Sequence, residues 1–212
     1  MQGLKLIIFD LDGTLADAYT AINKSFNAAM QRLGYPVRDS LTIRRAVGLG
    51  DEFLLRPFVK REDLKKALFL YRKHHRQDIL RYSRLFPGVI TLLKRLKNRG
   101  LKLAIASNRP TEFTLGIIRH LRISSYLDLV LCADKLKHIK PHPEILNKII
   151  EKFSLTKSQA LYIGDMIIDL QAARRAKIKG IAVTTGSSTR DELKKEAPWR
   201  IISKITQLLK IV

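Results

Sequence analysis

The chain has 212 residues, 46% hydrophobic and 28% charged, a balance that excludes a disordered or fibrous protein and allows either one large domain or a core with an insertion. Lysine and arginine number 40 against 19 aspartates and glutamates, a formal charge of +21; this predicts attraction to anions such as phosphorylated metabolites, nucleic acid or acidic lipid without choosing among them. One cysteine, Cys132, rules out an intrachain disulfide, and no apolar run approaches the ~18 residues of a membrane span, so a cytoplasmic protein with no membrane partner is expected.

The first predicted element is a buried strand, Leu6-Ile7-Ile8-Phe9, which stops on Asp10 and is followed by Asp12, Gly13 and Thr14. Carboxylates at the end of a buried strand are costly to desolvate, so the pair needs a compensating cation or a chemical task. From residue 17 to residue 85 the spacing is helical, in DAYTAINKSFNAAMQRLG, DSLTIRRAVG, DEFLLRPFV and EDLKKALFLYRKHHRQDILRYSR, with breaks at Gly34-Tyr35-Pro36, Gly48-Leu49-Gly50 and Pro57. No strand is expected there. His74 and His75 are adjacent on the last of these helices, point in different directions and read as surface. Arg72, Lys73, Arg76, Arg81 and Arg84, interleaved with Tyr71 and Tyr82, make a basic face of the kind that binds a phosphate backbone, but read more simply as the solvated side of an amphipathic helix.

After Phe86, strands and helices alternate. LKLAIASN, LDLVLCA, QALYIGD and GIAVTTG read as strands, separated by PGVITLLKRLKNRG, RPTEFTLGIIRHLRI, PEILNKIIEKFSL and IIDLQAARRAKIKG as helices, with WRIIS and KITQLLKIV closing the chain. Continuous apolar strands alternating with helices predict an α/β fold with a doubly wound parallel sheet covered on both faces. The expected organisation is a core of residues 1–16 and 86–212, with residues 17–85 inserted as a helical cap. Cys132 falls within an apolar strand and reads as a small buried residue.

Ligands of an open parallel sheet bind at the carboxyl ends of its strands. The exits here are Asp10 and Asp12; Ser107 and Asn108; Lys140-Pro141; and Gly164-Asp165, with Asp169 one helical turn later. Carboxylates crowded at one edge repel one another unless a hard dication lies among them, and an all-oxygen site suits Mg2+. The lysine and the hydroxyl then suggest a phosphate. His138 and His142, which flank Lys140, read as solvent-facing loop residues.

In this order, Asp10-Leu11-Asp12-Gly13-Thr14-Leu15, Ser107-Asn108, Lys140-Pro141 and Gly164-Asp165-Met166-Ile167-Ile168-Asp169 resemble the four motifs of the haloacid dehalogenase (HAD) superfamily. The helical insertion, with DGTLAD, AVGLG and SNRPTEFT, is most similar to the phosphoglycolate phosphatase group. The resemblance implies a Rossmann-like HAD core with a cap domain, and a Mg2+-dependent hydrolase of small phosphomonoesters, phosphoglycolate favoured, working through an aspartyl-phosphate. It further implies that Asp10 is the nucleophile, Asp12 the general acid and base, and Ser107 and Lys140 the groups that hold and neutralise the transferring phosphoryl. Gly13, Thr14 and Asn108 would assist phosphate binding; Asp10, Asp12 and Asp165 would hold the metal, with Asp169 supporting it and Lys140. A sugar phosphomutase of the beta-phosphoglucomutase type is the enzymatic alternative, against which Gly164 counts, since such mutases often carry an acidic residue or serine there. The +21 charge motivates two others: a nucleotide or polynucleotide-end phosphatase, and a nucleic-acid-binding module. The expected partner is a small phosphorylated metabolite, and the expected state a monomer or homodimer.

Overall fold

Residues 3–212 are described by a computed structural model, and the run Leu6–Phe9 forms β1 at the centre of its sheet. The chain leaves β1 through a two-residue strand, β2 (Ala16–Asp17), and enters four helices: α1 (Tyr19–Arg32), α2 (Ser40–Ala46), α3 (Asp51–Leu55) and α4 (Leu64–Tyr82). It returns through β3 (Arg84–Leu85), antiparallel to β2. Then follow α5 (Val89–Asn98), β4 (Lys102–Ser107), α6 (Thr111–His120), β5 (Leu129–Cys132), α7 (Glu144–Lys152), β6 (Ala160–Gly164), α8 (Ile167–Ala176), β7 (Lys179–Val183), α9 (Arg190–Lys195) and β8 (Arg200–Ile202). The large sheet runs β5-β4-β1-β6-β7-β8, every pairing parallel.

Alternation along the strands sorts the core. Ile7, Phe9, Leu103, Ile105, Leu161 and Ile163 face one layer, where α5 and α6 supply Leu92, Leu96 and Phe113. Leu6, Ile8, Ala104, Ala106 and Tyr162 face the other, against Ile145 and Ile149 of α7 and Ala172 of α8. The period of two in strand side chains, applied to strands buried on both faces, accounts for this double core. The inserted helices have their own cluster, built on Phe26, Met30, Ile43, Leu55 and Tyr71.

The strand order reverses at β1, whose neighbours are β4 and β6, and the crevice at such a switch point lies at the carboxyl ends of the strands. The insert joins the core through the β2–β3 pair, reinforced by Phe86 N–H donating to Leu15 C=O at 3.0 Å. These two strands depart from the expectation of an all-helical segment; two residues are too few to show a periodicity. His75 also departs from expectation. It is fully buried, because Ala67, Tyr71, His75 and Ile79 recur every four residues along α4 and form its inner stripe. Cys132 is buried as expected, and burial pushes its thiol pKa up.

Candidate active site

Asp10 follows β1 directly, and its N–H donates to Ile163 C=O of β6 at 2.9 Å, which fixes it at the switch point. Lys140 reaches the same place from the loop between β5 and α7. Its backbone is pinned by Asn108, whose Nδ2 donates to Lys140 C=O at 3.0 Å and whose Oδ1 accepts from Lys140 N–H at 2.9 Å. The Lys140 ammonium, only 2% exposed, meets Asp10 Oδ1 at 2.7 Å, Asp169 Oδ1 at 2.8 Å, Tyr162 Oη at 2.9 Å and Ala106 C=O at 3.0 Å. Burial works against this ammonium, but the carboxylates of Asp10 and Asp169 outweigh it and hold its pKa above the ordinary lysine value.

Ligand oxygens of Asp10, Asp165 and Asp169 lie within 4.8 Å of one another, and all three residues are buried. Asp169 is answered by Lys140, by the Tyr162 hydroxyl at 2.7 Å and by Met166 N–H at 3.0 Å. Among the described residues Asp165 has only uncharged donors: the Thr14 hydroxyl at 3.1 Å, the Tyr19 hydroxyl at 3.3 Å and Ser187 N–H at 3.0 Å. Burial, followed by repulsion from Asp10 and Asp169, pushes Asp165 well above the carboxylate range. Asp10 is pushed up to about 7, chiefly by burial, with the lowering effect of Lys140 opposed by Asp169 and Asp12. An all-oxygen set holding one carboxylate with no cation of its own fits a hard dication, with Asp10 and Asp165 as the residues placed to hold it. Gly13 permits the close approach on this side: its φ is +82°, and a Cβ there would come within 2.5 Å of Asp165 Oδ2.

Asp12 lies apart from that carboxylate cluster. Its Oδ2 accepts from Arg109 Nε at 2.8 Å, while its Oδ1 is buried with no hydrogen-bond partner among the described residues. Arg109 Nη1 contacts His75 Nε2 of the insert. Burial and the neighbouring guanidinium lower the His75 pKa well below the usual histidine value, so the ring is neutral.

Asp10, Asp12, Ser107, Asn108 and Lys140 therefore line one cavity of about 50 Å3 between sheet edge and insert, with Asp165 and Asp169 beneath. Ser107 Oγ accepts from Arg109 N–H at 3.1 Å. Two expected phosphate contacts spend their side chains elsewhere. Thr14 holds Asp165, and Asn108 is taken up by Lys140 and by Gly48 C=O of the insert at 2.9 Å. Tyr162, Tyr19 and Arg109 lie outside the expected site residues, and His75, expected at the surface, joins them. Tyr162 was hidden in an apolar strand, whereas Arg109 directly follows Ser107-Asn108 and was findable by its position. His138 and His142 are exposed, as expected, with His138 Nδ1 3.2 Å from Glu144 Oε2.

The family model for haloacid dehalogenase-like hydrolases matches residues 7–183. A phosphoglycolate phosphatase of Rhodobacter capsulatus is 37% identical over 187 residues, 85% of this chain and 84% of that protein. One from Nitrosococcus oceani is 29% identical over 212 residues, covering 96% and 94% respectively. The crystal structure of a predicted phosphoglycolate phosphatase from Haemophilus somnus superposes with a TM-score of 0.94 at 27% identity, covering 100% of this chain and 99% of that one.

Proposed function

Since this chain belongs to the haloacid dehalogenase-like hydrolase family and is a phosphoric monoester hydrolase of that fold, we propose that it is a Mg2+-dependent phosphatase acting on a small phosphomonoester through a phosphorylated Asp10. Phosphoglycolate is the favoured substrate, by likeness to the Rhodobacter and Nitrosococcus enzymes. The observation that carries the reading is the unequal treatment of the two motif carboxylates. Asp10 is fixed by Lys140, whereas Asp12, which lines the same cavity, has one oxygen held by Arg109 and the other without a hydrogen-bond partner among the described residues.

The ionised carboxylate of Asp10 attacks phosphorus, and the bond to the ester oxygen breaks as that oxygen takes a proton from Asp12. Asp12, now a base, accepts a proton from water; the hydroxyl attacks the phosphorus of the acyl phosphate, releasing Asp10 and inorganic phosphate. Ser107 donates its hydroxyl to the phosphoryl, and the Lys140 ammonium offsets its charge from beside Asp10. A dication held by Asp10 and Asp165 would neutralise charge on the phosphoryl oxygens.

Two features weigh against the other readings. A Cβ at Gly164 would lie 2.4 Å from Asp169, so the acidic or serine side chain frequent in mutases would displace a residue that holds Lys140. On α4, Tyr71 is buried, Arg72 is paired with Asp51 at 2.9 Å and Arg76 with Glu112 at 2.6 Å, which takes one of the two aromatic rings and two of the five cations out of the face that a nucleic acid would use. A screen of phosphorylated metabolites with and without Mg2+ tests the function, and Asp10→Asn tests the nucleophile. The variant should fold and lose turnover; near-wild-type activity overturns the assignment.

A further inference from the structure

We propose that Arg109, presented by His75 from the insert, is the receptor for the leaving group's carboxylate and so the residue by which this site tells acid esters from neutral ones. The proposal rests on the phosphatase reading above and names the residue that sets its specificity.

Arg109 leaves the end of β4, is buried and lines the cavity. A guanidinium carries about five N–H donors in a fixed fork and no acceptor. Nε is used by Asp12 at 2.8 Å and Nη1 by His75, while Nη2 has no hydrogen-bond partner among the described residues. Lys140, the other cation lining the cavity, is already surrounded by four oxygens, more than its three protons can serve. Spare donors for a second anion therefore reside on Arg109.

The His75 contact serves that purpose. Arginine only donates, so Nε2 of His75 accepts and the ring proton sits on Nδ1, 3.0 Å from Ser25 Oγ; Ser25 in turn stands 2.8 Å from Asp78 Oδ2. Tyr71 stacks on the ring at 4.8 Å between centroids, and Phe113 meets it edge-on at 5.1 Å. The insert thus holds Arg109 with a rigid neutral acceptor, which satisfies a donor without adding a second carboxylate to the one that Asp12 already supplies. Asp51, the other carboxylate on this side of the cavity, is answered by Arg72. Position completes the argument. Asp12 delivers its proton to the ester oxygen, and Arg109 is bonded to the other oxygen of the same carboxylate, so its fork stands beside the first carbons of the leaving group. A carboxylate there would be bound in the two-pronged manner guanidinium favours.

The test compares kcat and KM for phosphoglycolate and 2-phospholactate with those for ethyl and isopropyl phosphate, which lack the carboxylate. Wild type should prefer the acids. Arg109→Gln should lower kcat/KM for the acids about 10–100-fold more than for the neutral esters, mainly through KM, with Arg109→Lys recovering part of the difference. His75→Gln keeps an acceptor and should keep the preference, whereas His75→Leu should lose it. If His75→Leu does not fold, the Arg109 pair still decides the receptor. An equal fall for acids and neutral esters would assign Arg109 to the phosphoryl or to Asp12 alone and overturn the proposal. So would a wild type that cleaves neutral esters as well as acids, which leaves the phosphatase reading intact; cleavage of no ester in Mg2+ overturns both.

Discussion

Lys140 Nζ lies 2.7 Å from Asp10 Oδ1 in a place closed to water, with the lysine side chain 2% exposed and the aspartate 10%. A lysine so buried is stable as an ammonium only because Asp10 and Asp169 both face it. Removing it leaves two buried carboxylates without their cation. Lys140→Ala should therefore lose about 3–5 kcal/mol of stability and at least about 10²-fold in kcat. Thermal denaturation with parallel steady-state kinetics checks both; wild-type turnover in the variant would remove Lys140 from the reaction.

Acidity and metal should act on the same groups with opposite sign. Without metal, burial raises the Asp10 pKa in the folded protein from 3.8 to about 7, and Asp165 is raised as well. Over that window the unfolded chain binds fewer protons than the folded one, so the contribution is fully present below about pH 4 and is lost as pH climbs through 7. In EDTA the melting temperature should fall between pH 5 and pH 8. Added Mg2+ should restore more of it at pH 8 than at pH 5, because bound cation substitutes for the missing protons. Scanning fluorimetry at both pH values decides; equal Mg2+ increments would contradict the placement of the dication among these carboxylates.

Most of this architecture was legible in the sequence because its signals are local. The apolar runs ending on Asp10, Ser107 and Asp165 mark strand exits, and a parallel sheet brings its exits to one edge. The features that escaped depend on distant partners. His75 reads as surface beside His74 until the phase of α4 and the positions of Ser25 and Arg109 are known. Tyr162 looks like any strand aromatic until its hydroxyl is seen between Lys140 and Asp169. The strands β2 and β3 exist through each other and carry no periodicity of their own.

Tyr162 gives a milder test. Its hydroxyl donates to Asp169 Oδ1 at 2.7 Å and receives from Lys140 Nζ at 2.9 Å, so it orients the lysine without touching the reacting atoms. Tyr162→Phe keeps the ring and deletes both bonds, leaving Asp169 still held by Lys140 and by Met166 N–H. A buried hydrogen bond is worth about 0.5–1.5 kcal/mol and up to about 3 when charged. The expected result is a kcat lowered about 10-fold with KM little changed. A loss as deep as that of Lys140→Ala would mean that Tyr162 does more than orient.

Closure of the insert over the site should depend on a pair of arginines at the end of α2. Arg44 Nη2 donates to Thr185 C=O at 2.8 Å and Gly186 C=O at 2.6 Å; Arg45 Nη1 donates to Ser187 C=O at 2.9 Å and Glu192 Oε2 at 2.8 Å. The loop they grip is the one whose Ser187 N–H holds Asp165; the insert also meets the core through the short β2–β3 ladder and the contacts Asn108–Gly48, Arg109–His75 and Arg76–Glu112. The Arg45–Glu192 pair is exposed at 42% and 37% of its side chains, so its stability contribution is at most about 1 kcal/mol and salt-sensitive. Its effect falls on the opening of the insert rather than on the fold, because both partners lie at the rim where insert and core meet. Arg44→Ala combined with Arg45→Ala should leave the melting temperature nearly unchanged, raise KM about 3–10-fold and enlarge the radius of gyration measured by small-angle scattering. In wild type, KM should climb as salt rises from about 0.1 M to about 1 M, where the screening length shrinks from about 10 Å to about 3 Å. The double variant has no such charge pair to screen and should show a flatter dependence. An unchanged KM and radius in that variant would place the closing force elsewhere, in the contacts of Asn108 with Gly48 and of Arg109 with His75.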